Sequence, residues 1–160
     1  GFRELLVQYP DAKIVFLHRD PAVSIPSGIS MASAVMKIFS DSVNTREMTK
    51  GIMKLHAMVI QRVLTLREDL SDNNICDVQY SDLVKAPIAT VQRCYNYFGL
   101  PLSTAYEQRM KIWLRDNPQH KRGRHQYSPE KFGLDPEDIR DRFRFYIDKM
   151  DIRTDAGVGP

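Results

Sequence analysis

The segment that most constrains this chain is Lys13-Ile14-Val15-Phe16-Leu17, which runs straight into His18-Arg19-Asp20-Pro21. A short apolar run bounded by turn signals fits a strand buried on both faces of a parallel sheet. Tyr9-Pro10-Asp11 closes a short helical stripe before it. Asp20-Pro21 is a helix-start signal after it, with Asp as N-cap and Pro at the first helical position. Pro26 follows inside the expected helix. A proline there removes a backbone hydrogen bond and crowds the preceding turn, so the segment is expected to kink or restart, leaving N–H groups free near Ser27 and Gly28.

The remaining pattern alternates helix and strand. Met48, Ile52, Leu55, Val59, Val63 and Leu66 mark a long amphipathic helix over 45–68. Residues 75–80 read as a second strand. A helix from about Pro87 to Phe98 carries Ile88, Val91, Tyr95 and Phe98, and Gly99 stands at its C′ position. Tyr106, Met110 and Trp113 are the expected anchors of a helix over 103–115. A polar, basic loop covers about 116–134. Asp135-Pro136 opens a last helix bearing Ile139, Phe143, Tyr146, Ile147 and Met150. This order argues for an α/β fold with a parallel sheet flanked by helices. Two strands are few for such a sheet, so the domain is expected to be helix-rich and incomplete in this chain, over residues 1–153, with 154–160 a flexible tail.

Composition narrows the function classes. The 160 residues carry a formal net charge of +3, too mild to imply nucleic-acid or membrane binding. No uninterrupted apolar run approaches the roughly 18 residues of a membrane span. Two cysteines, Cys76 and Cys94, make neither a disulfide framework nor a metal cluster. They suit reduced thiols in a cytoplasmic setting. No metal site is expected. Arg109, Lys111, Arg115, Lys121, Arg122 and Arg124 lack the aromatic platform a single-strand binder needs. His18-Arg19-Asp20 mimics a kinase catalytic loop, but Ile25 stands where that motif needs Asn.

Arg19 lies where the first strand ends, the place where open α/β sheets bind ligands. A guanidinium is a planar, permanently charged fork suited to phosphate. Ser27 can offer a hydroxyl from the same corner. The bland alternative is that Arg19 pairs with Asp20 or another surface carboxylate. Lys121, Arg122 and Arg124 flank Gly123, so side chains and backbone could both reach a phosphate. Here the bland alternative is a solvated basic loop.

The stretch from Ala12 to Pro21, with Pro26-Ser27, resembles the 3′-phosphate motif of sulfotransferases that use 3′-phosphoadenosine 5′-phosphosulfate (PAPS). In that family an arginine at the strand end and a serine eight positions later contact the donor's 3′-phosphate. The matching residues are Arg19 and Ser27. Tyr80-Ser81-Asp82-Leu83 is similar to the family's Tyr-Glu-Asp-Leu stretch, whose tyrosine lies near the adenine. Asn117 to His125, with Phe132-Gly133-Leu134, resembles the C-terminal loop of bacterial members, and Lys121-Arg122-Gly123 stands where the family closes over the 3′-phosphate.

The resemblance implies a P-loop-NTPase-like fold, PAPS or its product PAP as the nucleotide, and a small-molecule acceptor bearing a hydroxyl or amine. From charge and pattern, no nucleic-acid and no membrane partner is expected, and a homodimer is left open. The family's Lys-Ser-Gly-Thr-type loop and catalytic histidine fall upstream of the Arg19 strand. No residue here is assigned as catalyst, and the isolated chain is expected to be inactive. The alternative is a non-catalytic nucleotide-binding module from a truncated family member. Met31, Met36 and Phe39 could line an acceptor pocket, with core packing as the bland alternative.

Overall fold

The computed structural model describes residues 2–68, 74–119, 121 and 128–154. The element order is α1 (Phe2–Gln8), β1 (Ile14–His18), α2 (Pro21–Phe39), α3 (Thr45–Glu68), β2 (Ile75–Gln79), α4 (Tyr80–Lys85), α5 (Pro87–Tyr97), α6 (Thr104–Asp116), a 3-10 turn (Pro129–Phe132), α7 (Pro136–Arg142) and α8 (Arg144–Lys149). Two compact units result. Residues 1–18 and 66–124 form the first, and residues 19–65 and 125–160 the second. Residues 122–127 and 155–160 of the expected basic loop and tail lie outside the described residues.

In the first unit β1 and β2 pair in parallel, with Ile14 opposite Ile75 and His18 opposite Gln79. Side chains alternate across a sheet. Cys76 and Val78 therefore share one face, where they pack with Cys94, Leu83 and Phe98. Both thiols are free and buried. Burial pushes the Cys76 thiol up to about 11, and its hydrogen bond with Cys94 adds to the effect. Strand β1 is not buried on both faces: Val15 is 52% and Leu17 43% exposed. Among the described residues the sheet has only two strands, so no strand pairs with β1 on its second edge. Gly99 ends α5 at φ +65°, a backbone region where a side chain is strained.

Helices of this unit bury less than the periodicity predicts. Thr90 and Cys94 are the buried residues of α5, whereas Ile88 and Val91 are only half-buried. Helix α6 buries no residue, and Trp113, an expected anchor, is 63% exposed. Trp113 instead lines a groove with Ile88, Val91, Tyr106 and Met110.

The second unit is built on α2. Its N-cap Asp20 is buried, and its carboxylate accepts from the Ala22 N–H (2.9 Å) and from Arg140 Nη2 (2.9 Å) and Nε (3.2 Å). One helix spans Pro26, so of the two expectations, a kink or a restart, the restart does not occur. Proline withholds its own N–H from the ladder, and the helix continues past it. Packing overrides local propensity here, because Ala22, Ile25 and Ile29 are held in a core with Met53, Ile139 and Phe143.

The nineteen-residue α2, with Lys37 its one charge, is long and apolar enough to cross a membrane by length and composition. Its first half is instead the centre of this core. Met31, Met36 and Phe39 are exposed, so they are not core residues among the described part.

In α3 the buried residues are Thr49, Met53 and Leu64, while the expected Leu55 and Val59 are about half exposed. The helix carries two apolar stripes, and the core takes the one through Met53, Ile60 and Leu64. The expected last helix is two short ones, with Phe143 fully buried at their junction.

Asp20→Ala removes the cap of α2 and the partner of Arg140, and is expected to cost about 3 kcal/mol in urea denaturation. Thr49 Oγ1 is buried with no hydrogen-bond partner. Thr49→Val should therefore raise stability by about 1 kcal/mol in the same measurement.

Candidate functional site

Three side chains meet on the sheet face opposite Cys76 and Val78. His18 closes β1 with its side chain wholly buried, and its Nε2 donates to Asp77 Oδ1 at 2.7 Å. Arg67, near the end of α3, donates from Nη1 to Oδ1 and from Nη2 to Oδ2, both at 2.7 Å. Phe16 fills the remaining space. Its ring stands edge-on to His18 at 4.7 Å and lies 5.6 Å from the Arg67 guanidinium carbon.

Burial pushes the Asp77 carboxyl up, but the hydrogen bonds from Arg67 and His18 outweigh it and lower the group from 3.8 to about 2. The bidentate fork holds the histidine in place through a shared carboxylate. The residue before Arg19 is thereby fixed.

The residue after Arg19 is fixed as well, by the Asp20 bonds to Ala22 and Arg140. The cap changes what the start of α2 can bind. Pro21 has no N–H, Ala22 donates to the Asp20 side chain, and Val23 and Ser24 donate to the Asp20 carbonyl at 3.0 Å. The N–H groups of Ala22, Val23 and Ser24 at the start of α2 are therefore taken by Asp20.

Arg19 and Ser27 are both half-buried and both in the second unit. Gly28, beside Ser27, has no heavy atom within 4 Å of the place a Cβ would occupy. The backbone there is open to approach, and neither crowding nor a positive φ requires the glycine.

Tyr80 and Lys121 lie in the first unit. Tyr80 is half-buried and opens α4 directly after β2. Lys121 is exposed, and its Nζ donates to the Asp116 carbonyl at the end of α6 (2.6 Å). Arg122, Gly123 and Arg124 lie outside the described residues. Among the described residues no cluster of His, Cys, Asp or Glu could hold a metal ion.

Sequence reasoning missed Asp77, Arg67 and Arg140. A carboxylate between Cys76 and Val78 in an apolar strand was a usable signal for Asp77. The Asp20–Arg140 pair spans 120 positions and leaves no local mark.

Residues 2–104 match the sulfotransferase family. The chain is 25% identical over 145 residues to the omega-hydroxy-beta-dihydromenaquinone-9 sulfotransferases Stf3 of Mycobacterium bovis and Mycobacterium tuberculosis. The match covers 88% of this chain and 37% of each relative, so the chain spans little more than a third of their length. The crystal structure of sulfotransferase STF9 from Mycobacterium avium superposes with a TM-score of 0.83 at 26% identity, covering 95% of this chain and 39% of that one. Sulfotransferase STF1 from Mycobacterium tuberculosis H37Rv gives 0.70 at 25% identity, covering 89% and 36%. The α/β, helix-rich fold with a parallel sheet is thus the one these enzymes share.

The lowered Asp77 carboxyl sets an acid limit. Its folded value lies below its ordinary one, so its contribution is complete above about pH 4 and is lost as pH falls through about 2. Because the side chain is 38% exposed, solvent screens part of the effect. Asp77→Asn is expected to lower stability at neutral pH and to flatten the loss between pH about 4 and 2, read from urea midpoints across that range.

Proposed function

The chain belongs to the sulfotransferase family, and on that premise we propose that it supplies the donor-binding part of a PAPS-dependent enzyme. Arg19 and Ser27 bind the 3′-phosphate, Tyr80 lies along the adenine, and Lys121, Arg122, Gly123 and Arg124 close over the nucleotide. The observation that carries this reading is the corner at the start of α2. Arg19 stands in sequence between two buried, hydrogen-bonded residues, His18 and Asp20, and Ser27 adjoins the open backbone at Gly28. A guanidinium on a fixed backbone loses little freedom on meeting a phosphate. With the helix N–H groups taken by Asp20, the phosphate contacts are charge-assisted side-chain bonds.

In the reaction, an acceptor oxygen or nitrogen attacks the donor sulfur. A new bond to sulfur forms, the bond from sulfur to the bridging oxygen breaks, and the nucleotide leaves as PAP. A base removes the acceptor proton. The histidines of known placement are not offered as that base. His18 is enclosed against Asp77, and His56 sits exposed on α3 with Nδ1 at 2.9 Å from the Ile52 carbonyl oxygen.

For the acceptor, we infer an apolar body bearing the reacting group. Beyond Ser27, α2 exposes Met31, Val35, Met36, Ile38 and Phe39, an apolar surface on the same helix as the proposed phosphate contact. The Stf3 relatives are named for a menaquinone derivative, which is an acceptor of this kind.

A thermal shift with PAP against AMP tests the donor reading, because the two differ only in the 3′-phosphate. At 100 times its dissociation constant, PAP should add about 2.7 kcal/mol of stability, and AMP far less. Arg19→Gln should abolish the difference. Equal responses to both nucleotides would defeat the 3′-phosphate assignment. The chain by itself is expected to give no sulfated product, and measurable turnover would overturn that part.

A further inference from the structure

The second unit contains a cleft of about 690 Å³ between the first turns of α3, the Lys131–Leu134 turn and α7. None of its lining residues belongs to the donor assignment. The volume is in the range of small-molecule sites. Its floor is apolar: Met53 and Ile139 are buried, and Phe132 and Leu134 are half-buried.

Four cations line the cleft: Arg46, Lys50, Lys131 and Arg142. Lys50 is paired with Glu47 at 2.8 Å. The side chains of Arg46, Lys131 and Arg142 have no hydrogen bond or ion pair among the described residues. Two carboxylates face them. Asp135 accepts from the Glu137 N–H as the cap of α7. Asp138 is unpaired among the described residues, so the cations outnumber the acids without being neutralised by them.

At the floor lies Thr49, 5% exposed, its hydroxyl without a partner. An unsatisfied buried hydroxyl costs stability. A threonine in a helix has two accessible χ1 wells, so its hydroxyl can change direction within the helix.

We propose that this cleft binds an organic anion: a carboxylate, sulfate or phosphate head on an apolar body of about two rings. The head is met by Arg46, Arg142 and Lys131, the body lies on Phe132, Leu134 and Ile139, and the Thr49 hydroxyl turns to accept or donate the remaining bond. The three cations select for charge, the floor selects against inorganic ions, and the modest volume excludes long chains. The site takes a second ligand beside the nucleotide and does not rest on the donor reading.

The test uses the full 160-residue chain, labelled with ¹⁵N, and follows the amides of Thr49, Gly133 and Ile139. The probes are 2-naphthoate, 2-naphthyl sulfate, 2-naphthyl phosphate, the neutral 2-naphthamide and inorganic sulfate. At least one naphthyl anion should shift all three amides and bind roughly tenfold or more tightly than 2-naphthamide or inorganic sulfate, a difference of about 1.4 kcal/mol. The three head groups identify which anion is preferred. Arg46→Ala with Arg142→Ala, both on exposed side chains, should remove that preference while the fold persists. Thr49→Val should weaken the anion several-fold. Equal binding of 2-naphthoate and 2-naphthamide, or unmoved amides with every anion, would overturn the proposal. Displacement of the anion by PAP would also overturn it, by making the two sites one. Loss of the PAP response with the naphthyl anion still bound would instead defeat the donor reading alone.

Discussion

The second unit depends on one buried carboxylate. Asp20 has no exposed side-chain surface, and an ion in that position is tolerable only with partners. It has them in two directions: a backbone N–H at the start of α2, and the guanidinium of Arg140 on α7. Arg140 is further held by Glu137 at 2.6 Å, so the fork is set before it meets Asp20. One side chain thus starts the helix and ties it to the C-terminal segment. The apolar residues Ile25, Ile29, Ile139 and Phe143 then close around the tie. The polar pair fixes which faces meet, while burial of those side chains supplies most of the favourable free energy.

A second tie, chemically similar, lies on the other side of Arg19. His18 and Arg67 share the carboxylate of Asp77, and all three belong to the first unit. The arginine proposed to meet the donor is thus flanked in sequence by two buried residues, each held by hydrogen bonds within its own unit. Preorganisation of this kind matters more for a charged ligand than for an apolar one, because misplacing a charge by an ångström forfeits more of the interaction.

Much of this was legible from the residues. The strand ending at His18, the cap at Asp20 and the glycine stop at Gly99 are local signals, and each appears where the pattern places it. The failures share a cause. Helix α3 carries two apolar stripes, and α5 buries Thr90 and Cys94 more deeply than Ile88 and Val91; periodicity alone cannot say which face a core will choose. For α6, Tyr106 and Trp113 suggest burial, yet both line an open groove beside α5 and stay largely exposed. Pro26 predicts a kink or a restart, and a core that grips the helix on both sides of it keeps it one element. In the candidate site, Arg19, Ser27 and Tyr80 were picked out by motif. Arg67 and Arg140 were not, because guanidinium pairs formed across the fold leave no trace in sequence spacing.

The exposure of Trp113 has a practical corollary. It is the sole tryptophan, and 63% of it faces solvent in the folded chain. An indole this exposed is expected to emit much as it does in water, so tryptophan fluorescence should change little when the cores collapse. Circular dichroism of the helices must follow folding instead. The same indole becomes a clean optical reporter for anything that settles onto the groove between α5 and α6, with a blue shift as its signature.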